Sequence, residues 1–166
     1  MDVADLYVGE VLVVSRDDVR LREGARAGLL QVLVRVSGST AVADNATIRA
    51  ALRNPAAYYY QYGYGSTDRL LLIDGQEVPA QVLRLSFDSR TIATLLRDAG
   101  FPVWGTNRPA VLLWVAEDDD TDRRLLTEAG PLPLREAFAE EAKSRGLPLL
   151  FPLLDLEDEL SPVEVW

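Results

Sequence analysis

The stretch from residue 100 to 120 most constrains what this chain can fold into. Gly-Phe-Pro-Val-Trp-Gly-Thr-Asn-Arg-Pro runs into Ala-Val-Leu-Leu-Trp-Val-Ala and then Glu-Asp-Asp-Asp. In order, this reads as a helix stop, a rigid turn, the most apolar strand of the chain and an acidic exit. Glycine ends helices because it enters the left-handed region without penalty. Pro102 and Pro109 fix φ and withhold a donor, so neither a helix nor a ladder runs through them. The near-continuous apolar run over residues 110–116 suits a strand covered on both faces, as in a parallel sheet. The stretch thus divides the chain into an α+β unit over residues 1–100 and a βαβ unit over 101–166, expected to pack together.

In the first unit, positions 6, 8, 10, 12 and 14 alternate with 7, 9, 11 and 13, predicting a strand with one strongly apolar face. Ser15, Asp17 and Asp18 then mark a helix start, since acidic groups favour the positive end of the helix. Leu21, Ala25, Leu29, Val32, Leu33 and Val36 recur at helical spacing, and Gly38 is the stop. A shorter helix is expected over 46–53, closed by Asn54-Pro55.

The pattern then switches to period two. Tyr58, Tyr60, Tyr62 and Tyr64 would line one face of a strand, with Tyr59, Gln61 and Gly63 on the other. Such a row can stack bases or sugars, or simply cover a helix and pair across the sheet; the acidic balance of the chain favours the second. Residues 70–80 read as a hairpin turned by Asp74-Gly75, whose left-handed backbone suits a primed turn. Pro79 cannot donate to a ladder, so its arm is expected at an edge. Residues 82–87 give a further half-buried strand. Asp88 caps a helix with Ile92, Leu95, Leu96 and Ala99 inward, stopped by Gly100. The fold class is α+β, an N-terminal sheet with its helices on one side.

In the second unit, residues 122–129 suggest a short helix, 133–146 a helix with Leu134, Ala137, Phe138 and Ala142 on one face, and 149–154 a strand. Strand, helix and strand at this spacing make a βαβ unit of a second small sheet. Ser161-Pro162-Val163-Glu164 is a capping box with proline at the first helical position, so a helix is expected to start there and the native chain to continue past Trp166.

Composition removes several chemistries. The chain has no Cys and no His, which excludes thiol catalysis, Ser-His-Asp triads, thiolate zinc sites and histidine switches. Acidic residues outnumber basic ones 26 to 17, a field that repels phosphate backbones, so nucleic acid is not an expected partner. No apolar run is long enough to span a membrane.

Three constellations remain. The acidic runs of residues 117–120 and 155–159 would leave a parallel sheet at its carboxyl edge, where such sheets bind ligands. Asp118, Asp119, Asp155 and Glu157 are thus the candidate ligands for Mg²⁺ or Ca²⁺, although they lack EF-hand spacing and solvated turns look the same. Trp104, Gly105, Arg108 and Pro109 form the junction, where Arg108 can fork an anion or lock the turn through backbone carbonyls. Leu70, Leu71, Leu72 and Ile73 are apolar without alternation, so both faces of that arm need cover from the domain, a partner protein or a second copy of the chain.

The segments Val3-Ala4-Asp5-Leu6-Tyr7-Val8-Gly9-Glu10 and Gln31-Val32-Leu33-Val34-Arg35-Val36-Ser37-Gly38, residues 100–109, Arg145-Gly146-Leu147-Pro148-Leu149-Leu150 and Asp155-Leu156-Glu157-Asp158 together resemble the bacterial domain of unknown function 2066 family. The βαβ half is more loosely similar to the N-terminal module of TolB-like and FlgT-like envelope proteins. The resemblance implies an exported, periplasmic protein of a Gram-negative bacterium with a processed signal peptide, and it supplies no catalytic residues. Residues and resemblance together lead to the expectation of a non-catalytic interaction or scaffold module of the envelope, without cofactors, with a protein partner or a homodimer through residues 69–80. The alternative is a ligand- or metal-binding domain with an acidic site.

Overall fold

A computed structural model describes residues 5–119, 122–129 and 132–153. The chain divides into two compact units, the first over Ala4–Thr106 and the second built from Asn107 onward. The whole is mixed α+β.

The first unit opens with strand β1 (Val8–Val13) and helix α1 (Asp18–Ser37). Asp17 caps α1, its carboxylate accepting from the N–H groups of Val19 and Arg20. Gly38 ends it at φ 72°, its N–H donating to the Val34 carbonyl. A 3₁₀ turn (Thr40–Asp44), helix α2 (Ala46–Ala51) capped by Asn45, and a second 3₁₀ turn (Pro55–Ala57) lead to strand β2 (Tyr59–Ile73). Asp74 and Gly75, both at positive φ, reverse the chain into strand β3 (Gln76–Phe87), as the primed turn requires. Helix α3 (Ser89–Asp98) follows, capped by Asp88 and closed at Gly100 by paired bonds from Gly100 to Arg97 and from Phe101 to Leu96.

The sheet is antiparallel in the order β1-β3-β2. Its register sets Gly9 opposite Leu85 and Leu85 opposite Tyr62; the next row on that face is Val11, Leu83 and Tyr64. This face meets α1. A Cβ on Gly9 would lie 2.8 Å from the Gly28 backbone, and one on Gly24 would strike the Leu83 side chain. The two backbones touch only because neither Gly9 nor Gly28 carries a side chain. Leu29, Val32, Leu33, Val36, Leu83, Leu85, Ile92 and Leu96 are fully or almost fully buried and form the core.

One expectation for this unit holds and another is corrected. Pro79 belongs to the central strand, but β1 ends opposite Gln81, so the arm that carries Pro79 pairs with β2 alone, Leu70 lies opposite it, and its other side is an open edge as expected. The tyrosine alternation breaks. Tyr59 pairs with Phe87 and Gln61 with Ser86, so a bulge at Tyr60 shifts every later residue by one. Tyr59, Tyr62 and Tyr64 therefore share the helix-side face, and Tyr60 is 71% exposed.

In the second unit, strands β4 (Val111–Leu112) and β7 (Leu149–Leu150) pair in parallel, with helix α4 (Leu132–Ser144) in the connection between them. The strand expected over 110–116 shrinks to two residues, and Val111, Leu112 and Trp114 are exposed rather than covered. In place of the helix expected over 122–129 there is a hairpin, β5 (Ala116–Asp119) against β6 (Asp122–Leu125). Its register sets Glu117 opposite Arg124 and Asp118 opposite Arg123. At the end of α4, Gly146 at φ 64° and Leu147 close the helix on the Lys143 and Ala142 carbonyls. The capping box at 161–164 lies outside the described residues.

Candidate functional site

The expected metal site divides between described and undescribed residues. Asp118 and Asp119 occupy β5, while Asp155 and Glu157 lie outside the described residues. Among the described residues no group of three or more acidic side chains is placed to hold a metal.

At the junction, the Trp104 N–H donates to the Val36 carbonyl at 2.8 Å, and its half-buried indole lies over Gly38. Gly105 and Pro109 are exposed. Arg108 is 1% exposed; its Nη1 donates at 2.9 Å to the carbonyls of both Arg145 and Gly146. A cation bound to carbonyls just past the C-terminal end of α4 also complements the helix dipole. The Nη1 end of this guanidinium thus binds backbone carbonyls.

The arm over residues 67–79 is largely exposed. A second irregularity between Ser66 and Leu70 sets it apart from the body of the sheet. Its two apolar faces meet different fates. Leu71 and Ile73 join Val11, Val13, Gly24 and Ala27 around a groove of about 250 Å³. Leu70 and Leu72 point away, 51% and 73% exposed. A second pocket of about 240 Å³ is lined by Asp18, Arg22, Arg53, Asn54 and Tyr59. Sequence reasoning did not single it out, since its residues come from three separate elements.

The two outer edges of the sheet differ. At β1, Gln31 of α1 accepts from the Glu10 N–H at 3.2 Å, and Arg35 donates at 2.9 Å to the carbonyls of both Asp5 and Val8. Burial lowers the pKa of Arg35, while Glu10 and Asp5 act in the opposite sense. Arg84, on the face away from α1, bridges Asp5 and Glu10 at 2.9 and 3.2 Å. At β2 no such cover exists among the described residues. Tyr59, Tyr62 and Tyr64 stand edge-to-face with centroids 5.9 and 6.1 Å apart, and Arg16 lies over the Tyr64 ring. Burial raises the pKa of Tyr64, whose hydroxyl has no hydrogen-bond partner among the described residues. Neither edge was legible in the sequence, because edge status depends on strand order.

Charge is unevenly distributed. Residues 5–106 carry eleven arginines and eleven acidic residues, whereas residues 107–166 carry fourteen acidic and six basic. The acidic excess therefore belongs to the second unit.

Against known families, residues 1–105, well over half of the chain, match the model of a domain of unknown function, DUF8605. The chain belongs to the DUF8605 family. This corrects the likeness to the 2066 family, which rested on short segments dominated by strand and helix patterning that unrelated α+β domains share. The DUF8605 match covers the three-stranded sheet, α1 to α3 and the approach to the junction. No curated protein and no solved structure matches the chain. Among the described residues, no helix is long and apolar enough to cross a membrane.

Proposed function

We propose that this chain is a non-catalytic interaction module that engages a protein partner through the arm at residues 67–79. The observation that carries the reading is the pair Leu70 and Leu72, two large apolar side chains exposed on a two-stranded arm while their neighbours Leu71 and Ile73 face the body of the unit. Exposed apolar groups on a protruding ribbon cost solubility and are normally blunted by charge, so their retention fits a surface that is covered in use. Placement in the bacterial envelope followed only from the likeness now withdrawn, and it forms no part of the proposal.

The test is a photo-reactive phenylalanine analogue placed at Leu72, with the same probe at exposed Arg26 on α1 as the control, in the native cell. The expected result is a discrete adduct from position 72 that Leu70→Asp abolishes. Identical adduct patterns from both positions would sink the reading.

A further inference from the structure

The open edge of β2 has its own regularity. Odd-numbered β3 residues bond to β1, as the 2.9 Å bond from the Phe87 N–H to the Tyr7 carbonyl fixes. Even-numbered ones therefore bond to β2, and their partners are Gln61, Gly63 and Gly65. Tyr62, Tyr64 and Ser66 are left with N–H and C=O turned outward at a repeat of roughly 6–7 Å, the spacing a further strand reads. No hydrogen bond from the described residues reaches these groups. Of the other usual protections β2 has bulges alone, at Tyr60 and between Ser66 and Leu70, and they bracket the free ladder without interrupting Tyr62 to Ser66. Residues 58–67 hold no proline and no charged side chain, and a Cβ on Gly63 would meet nothing within 4 Å.

We propose that this edge pairs with the same edge of a second copy, antiparallel about a two-fold axis at Gly63, joining two three-stranded sheets into one of six strands. The proposal rests on reading the first unit as an interaction module, but it uses the β2 edge and not the arm.

Three observations favour a second copy as the occupant. A two-fold through this stretch sets no like charges opposite one another, because the stretch has none, and the unit that carries it is charge-balanced. The outward groups are self-complementary, as an isologous interface demands. With the axis at Gly63, Tyr62 faces Tyr64 of the second copy in both directions, and the edge-to-face row of Tyr59, Tyr62 and Tyr64 continues across the interface.

The cysteine-free chain makes the test clean. Light scattering should return twice the 18.3 kDa mass of the chain. On the axis, Gly63 would be a non-hydrogen-bonded pair with its own copy at a Cα separation of about 4.5 Å, within disulfide reach. Gly63→Cys should therefore cross-link on mild oxidation; Tyr64→Cys should do so instead if the axis lies one residue on. Gly65→Cys should cross-link in neither register. Tyr62→Lys, a charge at an exposed edge position, should return the mass to that of one chain while melting cooperatively at a temperature that no longer depends on protein concentration. A single-chain mass with neither Gly63→Cys nor Tyr64→Cys cross-linking overturns the proposal. So does a dimer that survives Tyr62→Lys and cross-links through Leu72→Cys, which would move the interface to the arm.

Discussion

The two edges of one small sheet are managed in opposite ways. On the β1 side, α1 lies so close that Gln31 and Arg35 reach past the strand and occupy its outward N–H and C=O groups. On the β2 side no described residue covers the main chain over Tyr62 to Ser66. The difference lies in the helix and not in the strands. Gly9 and Gly28 let the α1 backbone touch β1, and among the described residues of this unit no element lies beside β2 to do the same. An edge is therefore protected by what packs next to it, and strand composition alone is a poor guide to whether it is free.

Removing the close approach is the strongest way to break this contrast. Gly9→Val would drive a side chain into the Gly28 backbone, which cannot move aside as a flexible side chain would. The expected loss is about 3 kcal/mol or more, by the cost of overpacking against a rigid neighbour. Urea unfolding measures it, and a loss under 1 kcal/mol by the same scale would mean that α1 does not sit hard on β1.

A milder change opens the β1 edge while leaving the packing. Arg35→Met keeps much of the apolar stem but strands the Val8 and Asp5 carbonyls. A loss of about 2 kcal/mol is expected, typical of hydrogen bonds to a charged group. Hydrogen exchange sharpens the comparison in the unaltered protein. At dilution, the Glu10 amide should exchange slowly and those of Tyr62 and Tyr64 fast; equal rates would erase the asymmetry.

The smallest effect is electrostatic. Asp88 joins β3 to α3, its N–H donating to the Tyr58 carbonyl at the foot of β2. The Thr91 side chain and backbone hold its carboxyl below the usual carboxylate range. A depressed folded-state pKa stabilises the fold fully above the unfolded pKa, and that contribution is lost as pH falls through the folded value. Asp88→Asn should therefore melt slightly lower than the parent at neutral pH, with the gap closing in acid. A gap that widens on acidification would reverse the sign and refute the assignment.

What was legible in the sequence was local. Asp17, Gly38, Asp74-Gly75, Asp88 and Gly100 each act within a few residues, so caps, stops and the primed turn could be placed without knowing the fold. What failed depended on partners distant in sequence. Period two along the tyrosines was real, but the bulge at Tyr60 arises from pairing with β3 and reassigns the faces. The apolar run at 110–116 pairs with β7 for only two residues, and those two, Val111 and Leu112, are exposed. The arm's two apolar faces were legible; which one the body of the unit would meet was not. Arg108 illustrates both sides. Its two possible roles could be named, but the carbonyls of Arg145 and Gly146 that its Nη1 meets come from past the far end of α4 and could not.

The order β1-β3-β2 also interleaves the chain with itself. The central strand comes last, so a cut in the loosened stretch around Arg69 would leave one fragment holding both outer strands and the other holding the strand between them. Neither piece could then complete a sheet alone, and each carries the missing half of the other's hydrogen bonds. A backbone break at that point would produce two fragments that remain associated, which makes the bulge between Ser66 and Leu70 a natural position for splitting and reconstituting this domain from separate halves.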